Sequence, residues 1–168
     1  MAPASPLALH RETVLPEWID YNGHMNLAYY LLVFDHATDR LYDHLEVGEA
    51  YLAAAKCTVF ICEAHVTYDR EVHDGDPLRF TTQLLGYDAK RLHFFHAMYH
   101  ADEGFLAATN ELLALHVDLT ERRAAAFPEP VGRRLAALHA AHRRLPTPAQ
   151  VGRVMGLGAA PKDLRKQS

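Results

Sequence analysis

The chain has 168 residues, 49% apolar and 23% charged, with a formal net charge of −4, the profile of a globular domain that buries roughly two thirds of its unfolded surface. No stretch approaches the roughly 20 apolar residues of a membrane helix, and Met1 to His10 lacks the basic start and apolar run of a secretory leader. Cys57 and Cys62 lie five apart in a strand-like segment, so they point to opposite faces, no bridge between them is expected, and the chain is read as cytoplasmic.

Leu7 to Leu15 reads as a first strand, stopped at Pro16. A polar, aromatic loop from Glu17 to His24 follows. From about Asn26 the period changes: Leu27, Leu31, Phe34, Thr38, Leu41 and Leu45 recur at three-to-four spacing, which predicts an amphipathic helix of about 18–20 residues. Asn26 is a good capping residue before that stripe, and Gly48 stands beyond it, where helices commonly stop.

Cys57 to Tyr68 is β-branched and aromatic, and His73-Asp74-Gly75-Asp76-Pro77 is a turn by composition. Leu78 to Tyr87, Leu92 to His100 and Phe105 to Val117 complete three more strands, separated by Asp88–Arg91 and Asp102–Gly104 at hairpin lengths. The order is one strand, one long helix and an antiparallel meander of four. That is an α+β fold whose five-stranded sheet wraps the helix, with a core over about residues 7–128. Its open edges need cover, and pairing two sheets across a two-fold axis supplies it.

A second, Arg-rich helix is expected over 131–145, closing a domain of residues 1–145. Pro146-Thr147-Pro148 then opens a flexible, poorly ordered extension to residue 168. Residues 121–168 hold ten Lys/Arg against three acids. A basic end suits phosphate or an acidic surface, but no aromatic interleaving or nucleic-acid motif accompanies it, so most of these bases are read as a solvated face and no nucleic-acid partner is expected.

Asp20-Tyr21-Asn22-Gly23-His24-Met25-Asn26 joins the first strand to the long helix. A helix start offers unpaired N–H groups and a positive dipole end, a suitable seat for an oxygen that becomes negative when a thioester is attacked. The backbone N–H groups of Gly23, His24 and Met25 are the candidates. Asp20 is placed to activate water or to attack, Asn22 and Asn26 to orient, and His24 to move a proton. A purely structural reading remains beside this one, in which Asp20 and Asn22 only cap the loop.

Asp-x-Asn-Gly-His-x-Asn followed by Ala28-Tyr29-Tyr30 resembles the signature of the hotdog-fold thioesterases related to 4-hydroxybenzoyl-CoA thioesterase. The resemblance extends to Glu63-Ala64-His65-Val66-Thr67-Tyr68, Gly75-Asp76-Pro77-Leu78 and His116-Val117-Asp118. Trp18 to Met25 and Lys90-Arg91-Leu92-His93-Phe94-Phe95-His96 look like the subgroup that accompanies or is fused to L-carnitine dehydrogenases. The resemblance implies hydrolysis of a small acyl-CoA, betainyl-CoA to glycine betaine among them, without a cofactor, by a homodimer or dimer of dimers whose sites lie between subunits.

One departure bears on the chemistry. Many members carry an acid two residues before Asp20, where this chain has Trp18. Glu63 becomes the second candidate carboxylate, sharing a strand face with His65 and Thr67, desolvated enough to act as a base and by resemblance serving the partner's Asp20. An ordinary salt-bridged strand position is the competing reading. Trp18, Tyr21, Tyr29 and Tyr30 crowd the same region and suggest that some of them form a cage for a quaternary ammonium group, against simple packing of helix on sheet. Lys90-Arg91 and Arg122-Arg123 are the candidates for the CoA phosphates.

No metal site is expected from the twelve histidines. His93 and His96 face opposite ways on a strand, His96 and His100 are about 13 Å apart along it, and His139 and His142 look solvent-facing without acidic partners. Two other readings stay open: a hotdog acyl-CoA hydratase or dehydratase, and a non-catalytic acyl-CoA-binding protein.

Overall fold

Asn26 starts the helix around which the chain is organised. Its backbone is extended and its side-chain oxygen accepts from the Ala28 N–H at 3.0 Å, closing the first turn of α1 (Leu27–Leu45). The helix ends at Glu46, which takes the left-handed conformation (φ 58°), not at Gly48. Gly48 instead precedes a short helix, α2 (Glu49–Ala55). Seven residues without a side-chain cap carry too little period to register in the sequence. The computed structural model describes residues 5–157.

The long strands fall within two residues of their expected bounds: β1 (Leu7–Thr13), β2 (Cys57–Tyr68), β3 (Pro77–Tyr87), β4 (Arg91–His100) and β5 (Leu106–Asp118). Their order, however, is not a meander of four. The antiparallel sheet runs β1-β3-β4-β5-β2, so only β3, β4 and β5 form a meander. β2 pairs with β5, from Cys57 opposite Asp118 to Tyr68 opposite Ala108. Residues 69–76 are therefore a crossing connection rather than a hairpin. Composition marks where strands end but not which strand a given one pairs with. A two-residue strand, β6 (Arg123–Ala124), pairs with the end of β5, and α3 (Glu129–His142) closes the fold.

α1 lies on one face of this sheet and buries Tyr30, Val33, Phe34, Ala37, Thr38, Leu41, Tyr42 and Leu45. Phe34 meets Phe80 edge-on at 5.8 Å between ring centroids, and large apolar side chains buried this way each contribute about 1.5–3 kcal/mol. Leu27 and Leu31, expected in the buried stripe, are 65% and 48% exposed. With Leu32 on the same helix and Phe60, Ile61 and Tyr68 on β2, they form an uncovered apolar surface along the free β2 edge. A period of 3.6 cannot tell a core stripe from one that meets another molecule.

Four histidines are buried among the described residues, His96, His100, His116 and His142. His96 sits between Thr38 Oγ1 at 3.0 Å and Thr82 Oγ1 at 2.8 Å, stacked on Phe34, and burial pushes its pKa down to about 3. His142, expected to face solvent, is buried, and its Nδ1 accepts the Leu84 N–H at 2.9 Å beside the bulge in β3. The C-terminal segment expected to be loose is also held, up to Gly152. Gln83 Nε2 donates to the Pro146 carbonyl at 3.4 Å and the Gly152 N–H to Glu111 at 2.8 Å, which lays it on the sheet face away from α1. Its last part, 158–168, lies outside the described residues.

Candidate active site

The loop before α1 is a small staple. Ile19 bridges Met25, the Asp20 N–H donates to the His24 carbonyl at 3.2 Å, and the Gly23 N–H returns to the Asp20 carbonyl at 3.0 Å. Gly23 has φ 84°, the region that glycine enters without strain. The Met25 N–H donates to Val72 at 2.9 Å and the Asn26 N–H to Trp18 at 2.9 Å, pinning the staple to the fold.

This geometry fixes Asp20. Its Oδ1 accepts the Asn22 N–H at 2.8 Å and its Oδ2 accepts Asn26 Nδ2 at 3.0 Å. The Asn22 amide first, then the Asn26 side chain and His24, hold its carboxyl below the usual aspartate value. Asn26 thus caps α1 with its oxygen and orients Asp20 with its nitrogen. Asn26→Ala is expected to cost about 1 kcal/mol of cap, a fall of roughly 2–4 °C in Tm for a chain of this size, together with most of the activity. An unchanged melt would remove the cap from this account.

Two of the three expected oxyanion donors are already engaged, since the Gly23 and Met25 N–H groups serve the Asp20 and Val72 carbonyls. A tight, pinned loop satisfies its own amides. The His24 N–H has no hydrogen-bond partner among the described residues. The His24 ring is half-buried beside a cavity of about 200 Å³, with Leu27, Tyr30, Tyr68 and Arg70. Asn22 is exposed and offers Asp20 its backbone N–H.

The aromatic residues do not assemble into a cage within the chain. Trp18 is 6% exposed and stacks on Tyr29 with centroids 5.7 Å apart, which leaves no room for a cation between them, and Tyr21 is 97% exposed. Glu63 and His65 do not reach the loop either. They lie on the sheet face away from α1, around a cavity of about 400 Å³ that also holds His93, Glu111 and Arg153. Glu63 is exposed, so the expected desolvation is lacking in this chain. On β2 the residues turned toward α1 are Val59, Ile61, Ala64 and Val66.

Lys90, Arg91, Arg122 and Arg123 are exposed at the opposite end of the sheet from Asp20. Nine residue steps along β4 separate Arg91 from His100 at the loop end, about 30 Å. Asp88 holds Arg91 through its guanidinium at 2.6 Å. One cluster with metal-ligand chemistry does exist, outside the histidine pairs weighed from the sequence. His10, Glu12 and His36 converge between β1 and α1, with His–carboxylate distances of 2.8 and 3.0 Å. Two imidazole N–H groups donating to one carboxylate account for it fully.

A second groove was not anticipated. It lies between α1 and the β2–β5 edge, about 420 Å³, lined by Ala28, Leu31, Asp35, Thr38, Ile61 and Asn110 among others. Asn110 is 1% exposed and neither atom of its amide has a partner among the described residues. The sequence signal was present in the polar run Thr109-Asn110-Glu111 inside an otherwise apolar strand.

Residues 14–135 match the family model described as the thioesterase-like superfamily. The chain is 45% identical over 151 residues to a betainyl-CoA thioesterase of Pseudomonas aeruginosa, covering 90% of this chain and 95% of that one. It is 42% identical over 135 residues to an L-carnitine dehydrogenase/betainyl-CoA thioesterase of Agrobacterium fabrum, covering 80% of this chain and 28% of that longer protein. A Staphylococcus aureus protein solved in complex with CoA superposes with a TM-score of 0.84 at 31% identity, over 90% of this chain and 96% of that one.

Proposed function

The chain belongs to the thioesterase-like superfamily, with the hotdog fold and acyl-CoA thioester hydrolase activity, and from that membership we propose that its substrate is betainyl-CoA, cleaved to glycine betaine and CoA. The observation that carries the substrate is the nearly end-to-end likeness to the Pseudomonas enzyme.

Asp20 supplies the reactive oxygen. Its lowered pKa keeps it ionised at neutral pH, competent to attack the thioester carbon or to take a proton from the attacking water. The carbonyl oxygen, as it becomes negative, meets the His24 N–H at the positive end of α1. Asn26, and Asn22 through its N–H, hold Asp20 in line. No cofactor enters this scheme. The two free thiols, Cys57 and Cys62, suit a reducing cytoplasm.

The enzyme in this reading is a homodimer, or a dimer of such dimers, formed at the β2 edge. That edge is unpaired in the single chain, and the apolar surface of Leu27, Leu31, Phe60 and Ile61 lies along it. Two-fold pairing of the β2 edges also brings the partner's basic end, with Lys90, Arg91, Arg122 and Arg123, toward the Asp20 loop, where the CoA phosphates need cations.

Thiol release measured with betainyl-, acetyl-, butyryl-, hexanoyl- and benzoyl-CoA tests the substrate, with crotonyl-CoA hydration as a control for the hydratase reading. Preference for betainyl-CoA is the expected result. Faster release from another ester discards that substrate but keeps the thioesterase. Hydration of crotonyl-CoA without thiol release would make the chain a hydratase.

A further inference from the structure

We propose that Asp35 and Asn110 recognise the cationic head of the acyl group, and that each chain presents them to the Asp20 loop of its partner. This rests on the betainyl-CoA thioesterase dimer proposed above.

Three observations point to the groove. Trp18, Tyr21, Tyr29 and Tyr30 form no common cage, since Trp18 stacks on Tyr29, Tyr21 is exposed and Tyr30 is buried edge-on against Tyr68, so a quaternary ammonium needs another counterpart. Asn110 keeps two buried, unpartnered amide atoms beside the groove, an exception that calls for a partner such as a ligand or an ordered water. The walls contributed by Leu31, Ile61 and Ala64 suit N-methyl groups, while the Asp35 carboxylate and the Asn110 amide oxygen offer the negative ends that a cation requires. A neutral acyl group of the same shape gains the walls and not the charge.

The sharing between chains follows from distance. Asp35 lies eight residues beyond Leu27, about 12 Å along the helix, whereas the ammonium of a betainyl group is only two bonds from the thioester carbon. The Asp35 end of the groove, which begins at Ala28, is therefore too far along its own helix to serve its own loop. Pairing of the β2 edges in one sheet about a two-fold axis runs the two α1 helices antiparallel. With the exposed Leu31 near the axis, Leu27 of one chain stands opposite the partner's Asp35. The head held by the partner's Asp35 and Asn110 is then beside Asp20.

The test compares betainyl-CoA with 3,3-dimethylbutyryl-CoA, its uncharged isostere, by kcat/KM. Wild type is expected to favour the cation. Asp35→Asn and Asn110→Leu are each expected to lower that ratio at least tenfold, and Asn110→Leu to melt no earlier than wild type, since its amide has no partner in the free chain. Mixed dimers of Asp20→Asn and Asp35→Asn chains should regain the wild-type ratio, because one of their two sites is whole. An unchanged ratio in both variants overturns the recognition, and mixed dimers without recovery overturn the sharing between chains. A wild type that favours the neutral ester, or cleaves neither, sinks the underlying substrate or thioesterase reading before any variant is made.

Discussion

Asp20→Asn is expected to lower kcat by about 10²–10⁴-fold, the usual contribution of a positioned acid or base, while leaving the fold intact. The carboxylate is held by the Asn22 N–H at 2.8 Å and Asn26 Nδ2 at 3.0 Å. Asn26 cannot turn its amide round to suit an asparagine, because its oxygen is committed to the Ala28 N–H. The variant therefore sets one NH₂ against another locally, and the core beneath, with Met25 and Trp18, does not feel it. Asp20→Glu keeps the charge but displaces it by a methylene, and should retain part of the rate. Thiol release and near-ultraviolet circular dichroism on the same samples check this. More than a tenth of the wild-type rate in Asp20→Asn would mean that another group attacks. The lowered pKa also fixes a sign: Asp20 stays in its reactive form below the usual aspartate pKa, so activity lost between pH 6 and 4 is not its titration.

Much of this site was legible because its chemistry is local. Asp20, Gly23 and Asn26 lie within seven residues, and a loop that must turn, cap a helix and hold a carboxylate needs a glycine and asparagines at those places. The strand bounds were legible for the same reason, as Gly, Pro and Asp punctuate them. What failed was non-local. The pairing of β2 with β5 depends on which edge is free after the meander forms, and nothing in Cys57–Tyr68 encodes it. Alternation groups Glu63 with His65 and Thr67 without saying whether their face is inside, and in this chain it is the face away from α1. The exposed Leu27 and Leu31 looked like core because an interface and an interior have the same periodicity. Asn110 was overlooked because its significance lies in lacking partners, which only the packed fold reveals.

His96 makes the fold itself sensitive to acid. Its ring is fully enclosed, bound by Thr38 and Thr82, and its pKa is pushed down from 6.5 to about 3 by burial, with His10 adding a smaller effect in the same direction. The unfolded chain takes up a proton there near pH 6.5 and the folded chain does not, so the unfolded state binds more protons and stability rises with pH across this window. The contribution is complete above about pH 6.5 and is lost progressively as pH falls toward 3. At roughly 1.4 kcal/mol per unit, it amounts to about 2 kcal/mol by pH 5, or a Tm lower by about 4–8 °C. His142, also depressed by burial, acts in the same direction. His96→Gln keeps a neutral hydrogen-bonding group between the two threonines but cannot be protonated. It should melt below wild type at pH 7.5, yet lose about 2 kcal/mol less than wild type between pH 7.5 and 5. Denaturant unfolding at several pH values measures the two slopes, and parallel slopes would show that His96 carries no part of the acid sensitivity. Since Asp20 remains ionised throughout this range, activity measured close to the melting temperature should fall in acid with the His96 contribution, and His96→Gln should make that fall shallower even though it touches no substrate.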